Sequence, residues 1–336
     1  MNSLNRRQLV AGTAAAAALG ALGPLGVRPA AAQSAPAYAG KTLRLLVGFP
    51  AGGGTDAIAR LLGERLKDEL GATVVVENKA GAGGQLAAQA LKTAAPDGLT
   101  VFISHDHTIS ILPLVVKTPG FDPAKDFVPM AGFATFVNAL AVSGGTPATG
   151  FREYVGWVRQ SGGGKGVVGI PAPASVPEFL VKVIGQTQSL DLVPAPYRGS
   201  APMIADMLGN QIAAGVGSIP DFIEQHKAGK LKVVAVMGTQ RQPVMPEVPT
   251  FAELGVAGFE DVPYYGFFAP AGTPAATIDQ FSAALQRVIA QPAVRDRLTA
   301  MGLAVSHLPQ AQLAAREQAY SQTWARIIKA SGFVPQ

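Results

Sequence analysis

Apolar positions switch between two spacings along residues 41–110, and the switching predicts α/β architecture. KTLRLLVGF reads as a buried strand. TDAIARLLGERLKDEL then carries apolar residues at 58, 61, 62, 66 and 70, a helical period. ATVVVEN predicts a second strand, GGQLAAQALKTAA a second helix and, after the turn PDG, LTVFIS a third strand. This βαβαβ order implies a parallel sheet with right-handed crossovers.

A second set follows. VNALAVS is a strand, GFREYVGWVRQ a helix, GVVGI a strand and VPEFLVKVIGQ a helix. Then come LVPAPY, SAPMIADMLGN, QIAAGVG, a helix near IPDFIEQHKAGK, and LKVVAVMG. From about Asp261 one more strand, YYGFFAP, precedes two long helical patterns, PAATIDQFSAALQRVIA and PQAQLAAREQAYSQTWARIIKA. That tail has too few strands for a domain and is expected to pack back on the first set. The expected division is residues 41–138 with 262–336 in lobe 1, and 139–261 in lobe 2. Two crossings join the lobes as a hinge.

The N-terminus stands apart from this pattern. Arg6-Arg7 precedes the soft apolar run AGTAAAAALGALGPLGV, and Ala30-Ala31-Ala32 fits a small-residue cleavage site. Pro24 and the Ala/Gly composition make the run a poor spanning helix. Residues 1–32 are therefore expected to be a signal peptide cleaved near Ala32, giving a periplasmic product. The Arg pair points to twin-arginine export, with Sec export as the alternative because Leu9 replaces the usual Phe. No cysteine occurs, which excludes a lipid-anchored cleavage site and fits an exported chain independent of disulfides. Removing Arg6, Arg7 and Arg28 from the formal charge of +5 leaves +2, with no basic run, so no nucleic-acid surface is expected.

The loop GFPAGGGTD (48–56) is the first chemical candidate. Gly52, Gly53 and Gly54 permit positive φ and close backbone approach, Thr55 is a candidate N-cap, and Asp56 sits in the first helical turn. Free amides at such a helix start suit a phosphate or a carboxylate. No Gly-Lys-Ser/Thr ends the glycine run and GxGxxG is absent from it, which argues against a nucleotide. KAGAGGQ (79–85) and PYRGSAP (196–202) repeat the design, with Arg198 at a loop mouth. SHDHTIS (104–110) groups Ser104, His105 and His107, but adjacency is not a triad and no third metal ligand is evident. No catalytic residue, metal or cofactor is expected. Tyr264 and Tyr265 are core residues or a pocket wall.

FPAGGGTD, VVENKAGAGG, PDGLTVFIS, FDPAKDFVPMA, APYRGSAP, AGKLKVVAV, VPTFAEL and FFAPAGTP occur in this order. Together they resemble the Bug family, the periplasmic receptors of tripartite tricarboxylate transporters. The resemblance implies a two-lobed periplasmic-binding-protein type II fold, a Venus flytrap. It further implies capture of a small organic carboxylate for delivery to membrane transporter subunits, by a monomeric protein. Ala51, Gly54, Thr55 and Asp56, with Gly53 beside them, fall in the family's first carboxylate-binding turn. Gly199, Ser200 and Ala201 fall in the second-lobe loop, and Ser104 where the third strand ends at the cleft. The family's usual Gly/Ser/Asn-rich loop with a His reads here PAPASVPEFL. Pro171, Pro173 and Pro177 remove three amide donors, Glu178 stands in the His position, and Ser175 is the loop's candidate ligand contact. Gly217-Ser218 replaces a common Asp-Asn pair. The distal end of the ligand is thus expected to be more apolar or bulkier than citrate. Two other readings are a periplasmic hydrolase or metal enzyme built on Ser104, His105 and His107, and a ligand sensor for a signalling partner.

Overall fold

The computed structural model describes residues 37–335, so the expected signal peptide lies outside the described residues. Into the first sheet go β1 (Thr42–Val47), β2 (Thr73–Asn78), β3 (Thr100–His105) and β4 (Phe127–Thr135). Between them run α1 (Gly54–Leu70), α2 (Gln85–Lys92), α3 (Leu112–Val115) and α4 (Pro123–Asp126). The second sheet holds β5 (Asn138–Ser143), β6 (Lys165–Ile170), β7 (Asp191–Pro196), β8 (Ala214–Ser218) and β9 (Leu231–Val236). Its helices are α5 (Phe151–Ser161), α6 (Val176–Gln188), α7 (Ser200–Leu208) and α8 (Ile219–Lys227). The chain returns with β10 (Tyr264–Pro270), α9 (Ala275–Ala290), α10 (Pro292–Ala300), β11 (Ala304–Pro309) and α11 (Gln310–Ala330).

The sheets run β11-β4-β10-β3-β1-β2 and β7-β6-β8-β5-β9. β2, β1 and β3 pair in parallel, as the βαβαβ order predicts. β3, buried along all but its last residue, takes a central place, whereas β2 forms the edge. α1 shows why these helices form where they do. Ile58, Leu62, Leu66 and Leu70 make one buried stripe, and Gly71 ends the helix with φ 62°. Full burial of each such side chain contributes about 1.5–3 kcal/mol.

Three elements escape the sequence pattern. β4 contains Pro129 and Gly132 yet lies inside the sheet; the proline is accommodated where the β4–β10 register shifts. β11 is short and carries Ser306 and His307, and α10 buries only Val294 and Leu298. The tail therefore adds two strands to the first sheet, not one. α11 lies over β4, yet its Trp324 ring also sits 5.7 Å from Phe179 of α6. Arg316 of α11 holds Asp261 at 2.8 Å and so pins the second crossing. No helix among the described residues is long and apolar enough to cross a membrane.

Candidate ligand-binding site

Four helices start at one cavity: α1 from the first sheet, and α6, α7 and α8 from the second. Gly53, Gly54 and Thr55, then Ser175 to Pro177, Ser200, and Ser218 with Asp221 all line it. A helix cannot satisfy its first backbone donors internally, and its dipole favours negative charge there. Such ends facing one space make it a place for an anion, with the α6 end weakened by Pro177, which has no amide to give.

The α1 loop differs from expectation in detail. Of its three glycines only Gly52 takes positive φ (86°). Gly53 is the N-cap at φ −80°, and Thr55 is already inside the helix with its hydroxyl 3.1 Å from that of Tyr265. Asp56 is buried, and its carboxylate closes the loop on itself. It accepts from the Gly52 amide at 3.0 Å, from Asn78 at 2.9 Å and from Arg60 at 3.0 Å. Burial opposes its ionisation, but these donors outweigh burial and hold the carboxyl below the usual range. Asp56 thus shapes the loop and does not line the cavity.

The second sheet closes directly on this loop. The Gly54 amide donates to Asp221 Oδ1 at 2.9 Å, and a Cβ on Gly54 would lie 3.0 Å from both that oxygen and Pro220 Cβ. Reciprocally, Gly199, the N-cap of α7 at φ 103°, packs so closely that a Cβ there would lie 2.5 Å from Pro50 Cδ. Each lobe thus presents a glycine to a proline of the other. A Cβ on Gly53 would find nothing nearer than 3.6 Å, so of these two it is Gly54 at which a side chain would crowd the other lobe.

The loop before α6 is built differently. Ala174 takes φ 50°, and its amide donates to Glu178 at 2.7 Å. Glu178 also pairs with Lys182, so it closes its own loop and does not line the cavity. The Ser175 hydroxyl donates to the Ala172 carbonyl at 2.6 Å. Pro171, Ala172, Val176 and Pro177 present an apolar wall.

Aromatic rings complete the enclosure. Phe49 stacks on His105 at 5.0 Å, and Tyr265 and Phe136 meet the imidazole edge-on at 5.5 and 5.8 Å. His105 Nδ1 lies 3.2 Å from Asp106 Oδ1, while Asp106 Oδ2 accepts from Tyr320 at 3.0 Å. His107 is buried, its Nδ1 has no partner among the described residues, and burial lowers its pKa to about 4. No group of three or more His, Cys, Asp or Glu with metal-holding geometry occurs among the described residues.

Of the residues expected at a ligand, Gly53, Gly54, Thr55, Ser175 and Ser200 line the cavity. Ala51 is exposed on the turn, Gly199 faces a second, outer pocket with Arg198, and Ala201 lines neither. Ser104 is buried in β3 and does not line the cavity, whereas the next residue, His105, does. Tyr265 forms wall and Tyr264 core. Sequence reasoning missed Phe49, Phe136, Asn138 and above all Asp221. The pair Ser218 and Asp221 has capping-box spacing, which is legible locally, but its reach across to Gly54 is not.

Residues 58–333 match the family described as the tripartite tricarboxylate transporter family receptor, TctC. The chain belongs to this family. It is 30% identical over 326 residues to the UPF0065 protein in the gbd 5′ region of Cupriavidus necator, covering 97% of this chain and 95% of that one. Protein BugT of Bordetella pertussis is 28% identical over 90% of this chain and 93% of its own. The periplasmic binding protein BugD superposes with a TM-score of 0.83 at 29% identity, over 89% of this chain and all of that one. R. palustris Rpa4515 with adipate gives 0.83 at 26%, over 88% and 99%. MatC of Rhodopseudomonas palustris with bound malate gives 0.77 at 28%, over 86% and 99%. These TctC relatives are binding proteins, and the chain is a Bug-type solute-binding protein and not an enzyme. The hydrolase reading of Ser104, His105 and His107 falls with that.

Proposed function

We propose that this TctC-family protein captures a small carboxylate between its two lobes and delivers it to a tripartite tricarboxylate-type transporter. The observation that carries this reading is the convergence of the α1, α6, α7 and α8 starts on one cavity. Its support from relatives is that neighbouring TctC-like proteins hold adipate and malate. The division into residues 41–138 with 262–336 and 139–261 is the hinge arrangement on which capture rests. Thr55 and Ser200 are the contacts assigned to the carboxylate, with Gly53 and Ser175 beside them. Gly54 and Gly199 let the lobes close, and Ala51, Asp56 and Ala201 support the turns. Ser104, behind His105, holds the strand. The same reading takes the protein as a monomer, exported to the periplasm with cleavage near Ala32.

A thermal-shift screen of mono-, di- and tricarboxylates tests it. A ligand at a hundred times its Kd adds about 2.7 kcal/mol of stability, which raises the melting temperature by several degrees. A response to sugars or amines with none to any acid would sink the proposal. Delivery is tested by uptake into membrane vesicles carrying the transporter subunits, which should depend on adding this protein.

A further inference from the structure

Among the described residues, Asp221 is the one side chain of the second lobe that accepts from an amide at the start of α1. Its Oδ2 accepts from the Ser218 amide at 3.2 Å and hydroxyl at 2.6 Å, closing the start of α8. Its Oδ1 accepts from the Gly54 amide at 2.9 Å, at the start of α1. One protein carboxylate therefore bridges two of the four helix ends that make the cavity attractive to anions. Resting on the carboxylate-capture reading, we propose that Asp221 is a built-in carboxylate that sets the ligand class. It fills the α1 end of the cleft, so the inner cavity accepts a molecule with one carboxylate and an apolar body, and disfavours a dicarboxylate.

The rest of the lining agrees. Among the described residues around this cavity there is no lysine or arginine. A second ligand carboxylate would face Asp221 and Asp106 with no cation to offset them, and like charges in a shared, partly dry site repel strongly. The unpartnered Nδ1 of buried His107 belongs to a neutral ring, since burial keeps the imidazole uncharged above about pH 4. At the α6 start Pro171, Val176 and Pro177, and in the first lobe Phe49 and Phe136, offer contact surface and few donors. Arg198 lines the outer pocket, beside the close Pro50–Gly199 contact.

Calorimetric titration with length-matched pairs tests this: butyrate against succinate, hexanoate against adipate, benzoate against terephthalate. For every pair in which either acid binds, the wild type should prefer the monoacid by about tenfold or more. Asp221→Asn, which keeps the acceptor shape without the charge, should move that ratio toward the diacid by about tenfold, and Asp221→Ser should do the same. Circular dichroism establishes that each variant is folded, and the wild-type ratio decides without them if neither is. Equal or tighter binding of the diacid by the wild type, or an unchanged ratio in both folded variants, overturns the role of Asp221 and leaves carboxylate capture standing. Binding of none of the six acids, together with a silent acid screen, overturns both.

Discussion

The starts of α1 and α6 are built to one plan and present opposite surfaces. In each, an acid in the first turn accepts from the amide four residues earlier and pairs with a base four residues later. Asp56 takes Gly52 and Arg60; Glu178 takes Ala174 and Lys182. Both turns are thus rigid before any ligand arrives. The glycines of the first bring the chain close enough for Asp221 of the other lobe to take the Gly54 amide. The prolines of the second remove amide donors and leave an apolar wall. The lesson is that stability and recognition are separable here: the acids hold the loops, and the residues between them choose what is bound.

The sharpest way to break the comparison is where the α1 loop meets the other lobe. Gly54→Val should block closure against Pro220 and Asp221, an overpacking of about 3 kcal/mol and roughly hundredfold in affinity. Gly53→Val, one residue away with open space, should change affinity by less than about fivefold in the same titration. Equal losses would mean that flexibility, not approach distance, is what the turn supplies.

A pH series examines the cavity wall. His107 has a folded pKa of about 4 against an ordinary 6.5, so the unfolded chain binds its proton first as pH falls. Stability should therefore drop by up to about 3 kcal/mol between pH 6.5 and 4, a loss absent at higher pH. Denaturant melts of His107→Phe should lack that component, and an identical slope would show that water reaches the ring.

The acids give the smaller effects. Asp56→Asn disturbs a buried carboxylate with three donors and should cost about 2 kcal/mol. Glu178→Gln, more exposed and with fewer partners, should cost about 1 kcal/mol. Denaturation midpoints measure both, and the binding preference between mono- and diacids should survive Glu178→Gln.

Much of the fold was legible because strand and helix periods are strong from β1 through β3 and again through the second sheet. β4 was hidden by Pro129 and Gly132, whose strand-breaking character is overruled only by a register shift against β10. The site was legible where chemistry is local: glycines before a helix start mark an anion loop wherever it occurs. It was illegible where parity or distance decides. Nothing in SHDHT tells which face of β3 meets the cleft, so Ser104 was expected there and His105 is found. Asp221 meets Gly54 across 167 residues, a contact that only the closed pair of lobes creates.

A crystal structure with the tightest-binding acid from the screen tests the central claim most directly. The account predicts the carboxylate within hydrogen-bond distance of Thr55 and Ser200, its body against Phe49 and Pro171, and Asp221 still on the Gly54 amide. A carboxylate held instead by Arg198 in the outer pocket, with the inner cavity unchanged, would contradict it.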